Sequence, residues 1–282
     1  MLNVWNGLTL LAAQAQQVST QVKETVSTAV GQLTTTTEQI AATAQQEADA
    51  VASEPTWFED LVDTFQRCFV EDDRWKFMTD GLWITIKVSL VALFLGMILG
   101  FLIALCCLSK SKILRGIGKV YTDVIRGTPS VTQLVIIYFV VLAPLHWEKW
   151  IVASIEFAIN SGAYVAEIIR GGILSVDKGQ TEAGASLGLK GSQTMMYIVV
   201  PQAVKNIFPA LGNEFITLIK ETAIVGYIGL DDLQRGGEAI RTLTYEAFVP
   251  LITTAVVYFV MIKLLTLALD AFEKKLRKAD KR

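Results

Sequence analysis

Residues 182–201 read Glu182-Ala183-Gly184, three residues, Gly188, nine residues, and then Ile198-Val199-Val200-Pro201. This order describes a short helix, a glycine break and a second helix stopped near a proline. Its residue types suit docking to a partner, not bond-breaking chemistry. A second polar set lies within apolar stretches. Asn160, Tyr164 and Glu167 fall at i, i+4 and i+7, and Asn213, Thr217, Lys220 and Glu221 do likewise, with Glu214 beside them. Each set is expected on one helical face. An ionised side chain costs about 2.5 to 3.5 kcal/mol at a bilayer centre, so these residues belong against protein or along a watery path. The plain alternative is an internal ion pair, with Lys220 offsetting Glu221 and Glu156 lying near the outer surface.

Enzyme chemistry has little to work with. No G-x-S-x-G turn occurs, and the nearest approach to a phosphate loop is Gly116-Ile117-Gly118-Lys119-Val120. It lacks the upstream glycine and carries Val120 where Ser or Thr would hold magnesium. One histidine, His146, and three cysteines (Cys68, Cys106, Cys107) without C-x-x-C spacing offer no metal site. No catalytic residue, metal or cofactor is expected. Any work against a gradient then needs energy from another subunit or an ion.

The elements that position these residues are long and apolar. Of 282 residues, 52% are hydrophobic and 18% charged, at a mean hydropathy of +0.45. A soluble domain carries about 25% charged residues. Val88–Leu108 and Gly127–Trp147 are each 21 residues without a charge, long enough to cross a bilayer as helices. Further spans are expected at about 150–173, 206–228 and 248–269, giving an all-α protein with five transmembrane helices. The first span, about 81–108, holds Gly96-x-x-x-Gly100, a spacing that lets helices approach closely.

Basic residues orient the chain, because they favour the cytoplasmic side. Lys110, Lys112, Arg115, Lys119 and Arg126 crowd the 109–130 loop, and the last nine residues hold six Lys and Arg. These segments and the 174–205 loop fall on one side. The 54–80 segment, with eight acidic residues against three basic ones, and the 229–246 loop fall on the other. The N-terminus is therefore expected outside and the C-terminus in the cytoplasm. Four regions follow: a Thr/Gln/Ala-rich extension over 1–54 (a weak or partly disordered helix), an acidic aromatic pre-membrane segment over 55–80, the transmembrane domain over 81–272, and a basic tail over 273–282. Ala13-Gln14-Ala15 could end a signal peptide, but no Lys or Arg precedes Lys23 and the apolar core is short. Cleavage is not expected.

The 182–201 stretch resembles the EAA motif of ABC importer permeases, E-A-A-x3-G-x9-I-x-L-P, with matching spacing throughout. Gly184 stands for the second alanine and Val200 for the leucine. Tyr121 to Pro129, Asn160 to Ile168 and Gly212 to Ile216 resemble segments of the polar-amino-acid branch. The likeness covers about 78–275 and leaves the first 55 residues unassigned. It implies a bacterial cell-membrane permease subunit paired with a second one, two ATPase subunits on the cytoplasmic side and an extracellular amino-acid-binding protein. Glu182, Ala183, Gly184, Gly188 and Pro201 would form the ATPase-coupling segment. Asn160, Tyr164, Glu167, Asn213, Glu214 and Thr217 would line the substrate path.

Two other classes stay open at this level. An ion-coupled secondary transporter would use Glu214 or Glu167 as its cation site, although paired halves with matching broken helices are not evident. A membrane scaffold would make the N-terminal helix its functional part.

Overall fold

The computed structural model describes residues 2–52 and 57–279, with side chains over 16–47 and 57–275. The N-terminal unit contains α1 (Leu2–Ala52), a single helix. In its threonine run Thr34, Thr35, Thr36 and Thr37 each satisfy a hydroxyl on the carbonyl four residues back, a bond that satisfies the side chain without strengthening the helix. Val18, Val22, Val26, Val30, Leu33 and Ile40 are all exposed. The candidate cleavage residues 13–15 and most basic tail side chains lie outside the described side chains.

After α2 (Trp57–Phe65), a short π-helical stretch and one 3-10 turn lead into α3 (Trp75–Leu108). Asp72 and Asp73 adopt positive φ at this turn, and Arg74 braces it by donating to the Arg67 carbonyl and the Asp72 carboxylate. The basic stretch read as a loop is largely helical. It forms α4 (Lys112–Arg126), which joins α5 (Ser130–Ile136) and its π-helical continuation to Val141 through a bend of 101°. Pro129 ends α4 sterically, because the residue before a proline leaves the helical region. Gln133 ties the bend by donating to the Ile125 and Thr128 carbonyls and to the Thr128 hydroxyl.

α6 (Lys149–Leu174) is the central helix, buried on most of its surface. The chain then forms α7 (Lys178–Ser186), α8 (Gly191–Thr194), α9 (Val200–Glu221), α10 (Leu233–Thr244) and α11 (Phe248–Ala279). The second coupling helix does not stop at Pro201. A π-helical stretch, Met195–Val199, carries α8 into α9, where Pro201 occupies the first turn. It sits at the junction of the π-helical stretch with α9, where its missing N–H leaves a gap in the hydrogen-bond ladder.

Glycines set the close packing around α6. A methyl on Gly96 would lie 3.3 Å from Ser161 Cβ, and one on Gly100 would lie 2.6 Å from Val165 Cβ. The Gly96-x-x-x-Gly100 face therefore seats α6, and the two helices run parallel. α9 returns antiparallel to α6, with Gly172 opposite Ile207 and Asn206 donating to Ser175. α11 is antiparallel to α9, with the Phe208 and Phe272 rings 4.9 Å apart. Among the described residues, three helices are long and apolar enough to cross a membrane, and the bent pair makes a fourth. α9 falls short because polar residues interrupt it.

Candidate functional site

The 182–201 segment forms a closed turn with an open outer surface. Asp177 caps α7 by accepting from the Gly179 N–H at 2.6 Å. At the far end Gly188 has φ +79°, a left-handed conformation that an L side chain enters at a cost. The Leu189 N–H returns to the Gly184 carbonyl and the Gly188 N–H to that of Ala185. This pair of bonds is the Schellman arrangement that satisfies a helix C-terminus. Glu182, Ala183 and Leu187 are exposed, with Leu187 at 79%, and Met196 and Tyr197 expose apolar surface nearby.

Gly184 faces inward. A methyl there would fall 2.6 Å from Thr194 Cγ2 and 3.1 Å from Ile198 Cδ1. The departure from the second alanine thus has a local cause. α7 packs so closely on the following turn that a β-carbon has no room. Gln202 also donates to Gln180 across this contact.

The second region lies between α6 and α9. Asn160 is buried and donates to Gln133 at 3.1 Å, tying α6 to the bend after α4. Arg126 lies over the Tyr164 ring at 5.1 Å and 3.9 Å from Glu167. The Glu167 carboxylate is engaged by Arg170, with contacts of 2.6 and 3.0 Å, so it is a partner of arginines more than an open receptor. Glu214 is half-buried and turned toward Ser161, without closing a hydrogen bond to that hydroxyl. The polar residues of α9 do not share one face. Asn213, Thr217 and Lys220 are exposed, while Glu214 and Glu221 turn inward.

Residues 94–278 match the family described as binding-protein-dependent transport system inner membrane component. The chain belongs to this family. This permease is 42% identical to the arginine transport system permease protein ArtQ of Bacillus subtilis (strain 168), over 206 residues that cover 72% of this chain and 94% of the relative. The glutamine transport system permease protein GlnP of Escherichia coli (strain K12) is 34% identical over 203 residues, covering 71% of this chain and 93% of that one. A solved amino acid ABC transporter structure with histidines is 43% identical and superposes with a TM-score of 0.67, over 71% of this chain and 94% of that chain. The permease is thus an all-α inner-membrane transport component.

Four residues of the permease escaped the site reading from sequence. Gln133 and Arg126 lie outside the α6 and α9 patterns, and only the fold brings them to Asn160 and Tyr164. Glu221 stood in the polar set of α9, and Glu156 was expected near the outer membrane surface. Glu156 is fully buried within the protein, and neither of its carboxylate oxygens has a hydrogen-bond partner among the described residues. Lys220 is exposed and forms no ion pair with Glu221 among the described residues, as adjacent helix positions point apart. Their seven- and eight-residue offsets from 213–214 were the available signal.

Proposed function

We propose that this permease is the membrane-crossing subunit of an ATP-driven importer for polar amino acids. It receives substrate from an extracellular binding protein and energy from two separate ATPase subunits. It crosses the membrane five times, with the N-terminus outside, the C-terminus in the cytoplasm and α9 counted as a span despite its polar residues. α3 and α6 run parallel while α9 opposes α6 and α11 opposes α9, which agrees with that path.

The α7 turn carries this reading. A chain without a P-loop presents a short capped helix, with exposed Glu182, Ala183 and Leu187, on the side where its basic residues collect. Such a helix fits a cleft of a soluble motor. Pro201, at the start of α9, links that turn directly to the span carrying Glu214. The exposed polar face of α9, Asn213 to Lys220, is costly against lipid and fits a paired permease subunit enclosing a watery path. The named relatives, transporting arginine and glutamine, support amino acids as the substrate class.

The reading is tested by amino-acid uptake in cells carrying the permease with its ATPase and binding protein. Uptake should require ATP and vanish when the ATPase subunit is deleted. Uptake that persists without the ATPase and follows an ion gradient would identify a secondary transporter instead.

A further inference from the structure

We propose that the basic cavity enclosed by α4 and the ends of α3 and α6 binds the phosphate head group of an anionic membrane phospholipid. The site goes beyond the import reading and does not depend on which solute is carried.

The α4 sequence carries two stripes with the same steps. Ile113, Ile117, Val120 and Val124 recur at four, three and four residues, and Arg115, Lys119, Thr122 and Arg126 repeat those steps two positions later. Each residue turns an α-helix by about 100°, so the two stripes lie on nearly opposite sides. A third side meets the protein. Tyr121 donates to the Ile159 carbonyl at 2.6 Å, and a methyl on Gly118 would lie 2.6 Å from Cys107 Sγ. The apolar stripe is left exposed along its whole length. A helix with one apolar and one basic face suits the membrane interface, its apolar face in the acyl boundary. The 101° bend after α4 agrees, since a helix lying in that plane must turn sharply where the chain goes on across the membrane.

The basic stripe faces a cavity of about 370 Å³. Arg115, Lys119 and Arg126 line it from α4, Arg170 from α6 and Cys107 from α3. Asp123 and Glu167 line it as well, so four cations meet two carboxylates. Glu167 is already engaged by Arg170 at 2.6 and 3.0 Å and lies 3.9 Å from Arg126. Arg115 donates to the Ser109 carbonyl at 2.9 and 3.2 Å, which holds its guanidinium at the turn between α3 and α4. The surplus is cationic, and guanidinium groups match phosphate oxygens in geometry as well as charge. Basic pockets between membrane helices on the cytoplasmic side suit acidic head groups. Cys107 and Arg170 lie near the ends of α3 and α6 that the proposed orientation places there. Inorganic phosphate would satisfy the same cations. The exposed apolar stripe on the same helix favours the lipid, whose acyl chains give that stripe a partner. A zwitterionic head group fits less well, because it brings its own cation into a cationic cavity.

The test uses the permease copurified with its ATPase subunits, incubated in detergent with equal amounts of phosphatidylglycerol and phosphatidylcholine, then washed and its retained lipid quantified. Phosphatidylglycerol should be retained in clear excess. The double variant Arg115→Gln with Lys119→Gln should lower its retention about tenfold or more, each basic residue at an acidic lipid surface being a factor of about five. Lys112→Gln, on the same helix but outside the cavity, should have a much smaller effect. If the double variant does not copurify, Lys119→Glu serves in its place with the same expected direction. Equal retention of the two lipids overturns the proposal, as does unchanged retention in these cavity variants. A loss from Lys112→Gln as large as theirs also overturns it, because it would show general attraction to an acidic surface and no site. Inorganic phosphate separates the two sources of the anion. It should displace no more phosphatidylglycerol than chloride does at equal ionic strength, and full displacement would assign the cavity to a soluble anion and overturn the lipid assignment.

Discussion

The α7 turn and the α6–α9 interface treat their polar groups in opposite ways. At α7 the helix is closed at both ends, by Asp177 at its start and by the Gly188 and Leu189 N–H bonds at its finish. Its side chains then face outward. At the interface the side chains face inward, and the carboxylate of Glu156 and the hydroxyls of Ser89 and Ser161 have no partner. A surface that docks as a rigid piece needs its backbone satisfied. A path that binds and releases a charged solute needs groups whose partner is the solute. The two regions meet through Pro201 and α9, so under the proposed coupling a push on α7 would reach the helix bearing Glu214 and Glu221.

The largest expected effect tests the docking side. Gly188→Glu should abolish uptake, with membrane insertion intact and the ATPase lost on copurification. Two causes are separable here. No atom lies within 4 Å of the position where a β-carbon would sit, so Gly188→Ala probes the backbone alone. Placing an L residue in the left-handed region costs about 1 to 2 kcal/mol, and Gly188→Ala should therefore leave measurable transport. Equal loss in both variants would locate the defect in the turn and not in a partner's cleft.

Gly184 offers a sharper test with a smaller effect. Restoring the motif's alanine should lower uptake, because the added methyl meets Thr194 at 2.6 Å. Overpacking of this kind costs about 1 to 3 kcal/mol. The double variant Gly184→Ala with Thr194→Ala removes the obstructing methyl and hydroxyl and should recover activity toward the parent. Improved uptake from Gly184→Ala alone would show that the segment is looser than its packing indicates.

Glu214→Gln belongs to the path side. It should reduce uptake severalfold with insertion unchanged, since its half-buried carboxyl faces Ser161 and the other glutamates. Unchanged kinetics across candidate amino acids would take Glu214 out of the site and leave the interface asymmetry resting on Glu156 and Glu221.

Sequence spacing made the 182–201 segment more legible than the contacts around α6. The 182–201 spacing survives as one structural piece because its contacts are local, Gly184 to Thr194 and Gln180 to Gln202. The proposed path draws on α4, α5, α6 and α9, and no single pattern contains Arg126, Gln133 and Glu221 together. The α4 helix was read as a loop because its charges dominated the view, although Ile113, Ile117, Val120 and Val124 recur at helical spacing. Ser192, in α8, tests the sidedness of the arrangement. A cysteine placed there should resist labelling from outside intact cells, and ready labelling without permeabilisation would reverse the topology.

A second fully buried carboxylate shows what an acid held in a structural role looks like. Asp232 is 1% exposed, as deeply placed as Glu156, yet it accepts from the Arg235 N–H at 3.0 Å and the Tyr258 hydroxyl at 3.2 Å. It thereby caps α10 and fastens it to α11. A methyl on Gly81 would strike the Asp232 backbone, so α3 closes over the same point. Burial pushes the Asp232 carboxyl above the ordinary aspartate range, opposed by the backbone and Tyr258 hydrogen bonds. A raised value means that the folded state holds the proton more firmly than the unfolded state. This residue's contribution to stability is therefore greatest at low pH and declines as pH rises through the folded value. Asp232→Asn keeps an acceptor and a good cap while removing the titration, so it should shift stability near pH 7 by less than about 1 kcal/mol and flatten that decline. Asp232→Ala removes cap and tether together and should cost about 1 to 2 kcal/mol. Uptake should be unaffected by either substitution in thermally intact protein. A loss of uptake matching that of Glu214→Gln would erase the distinction between a structural acid and one on the proposed path.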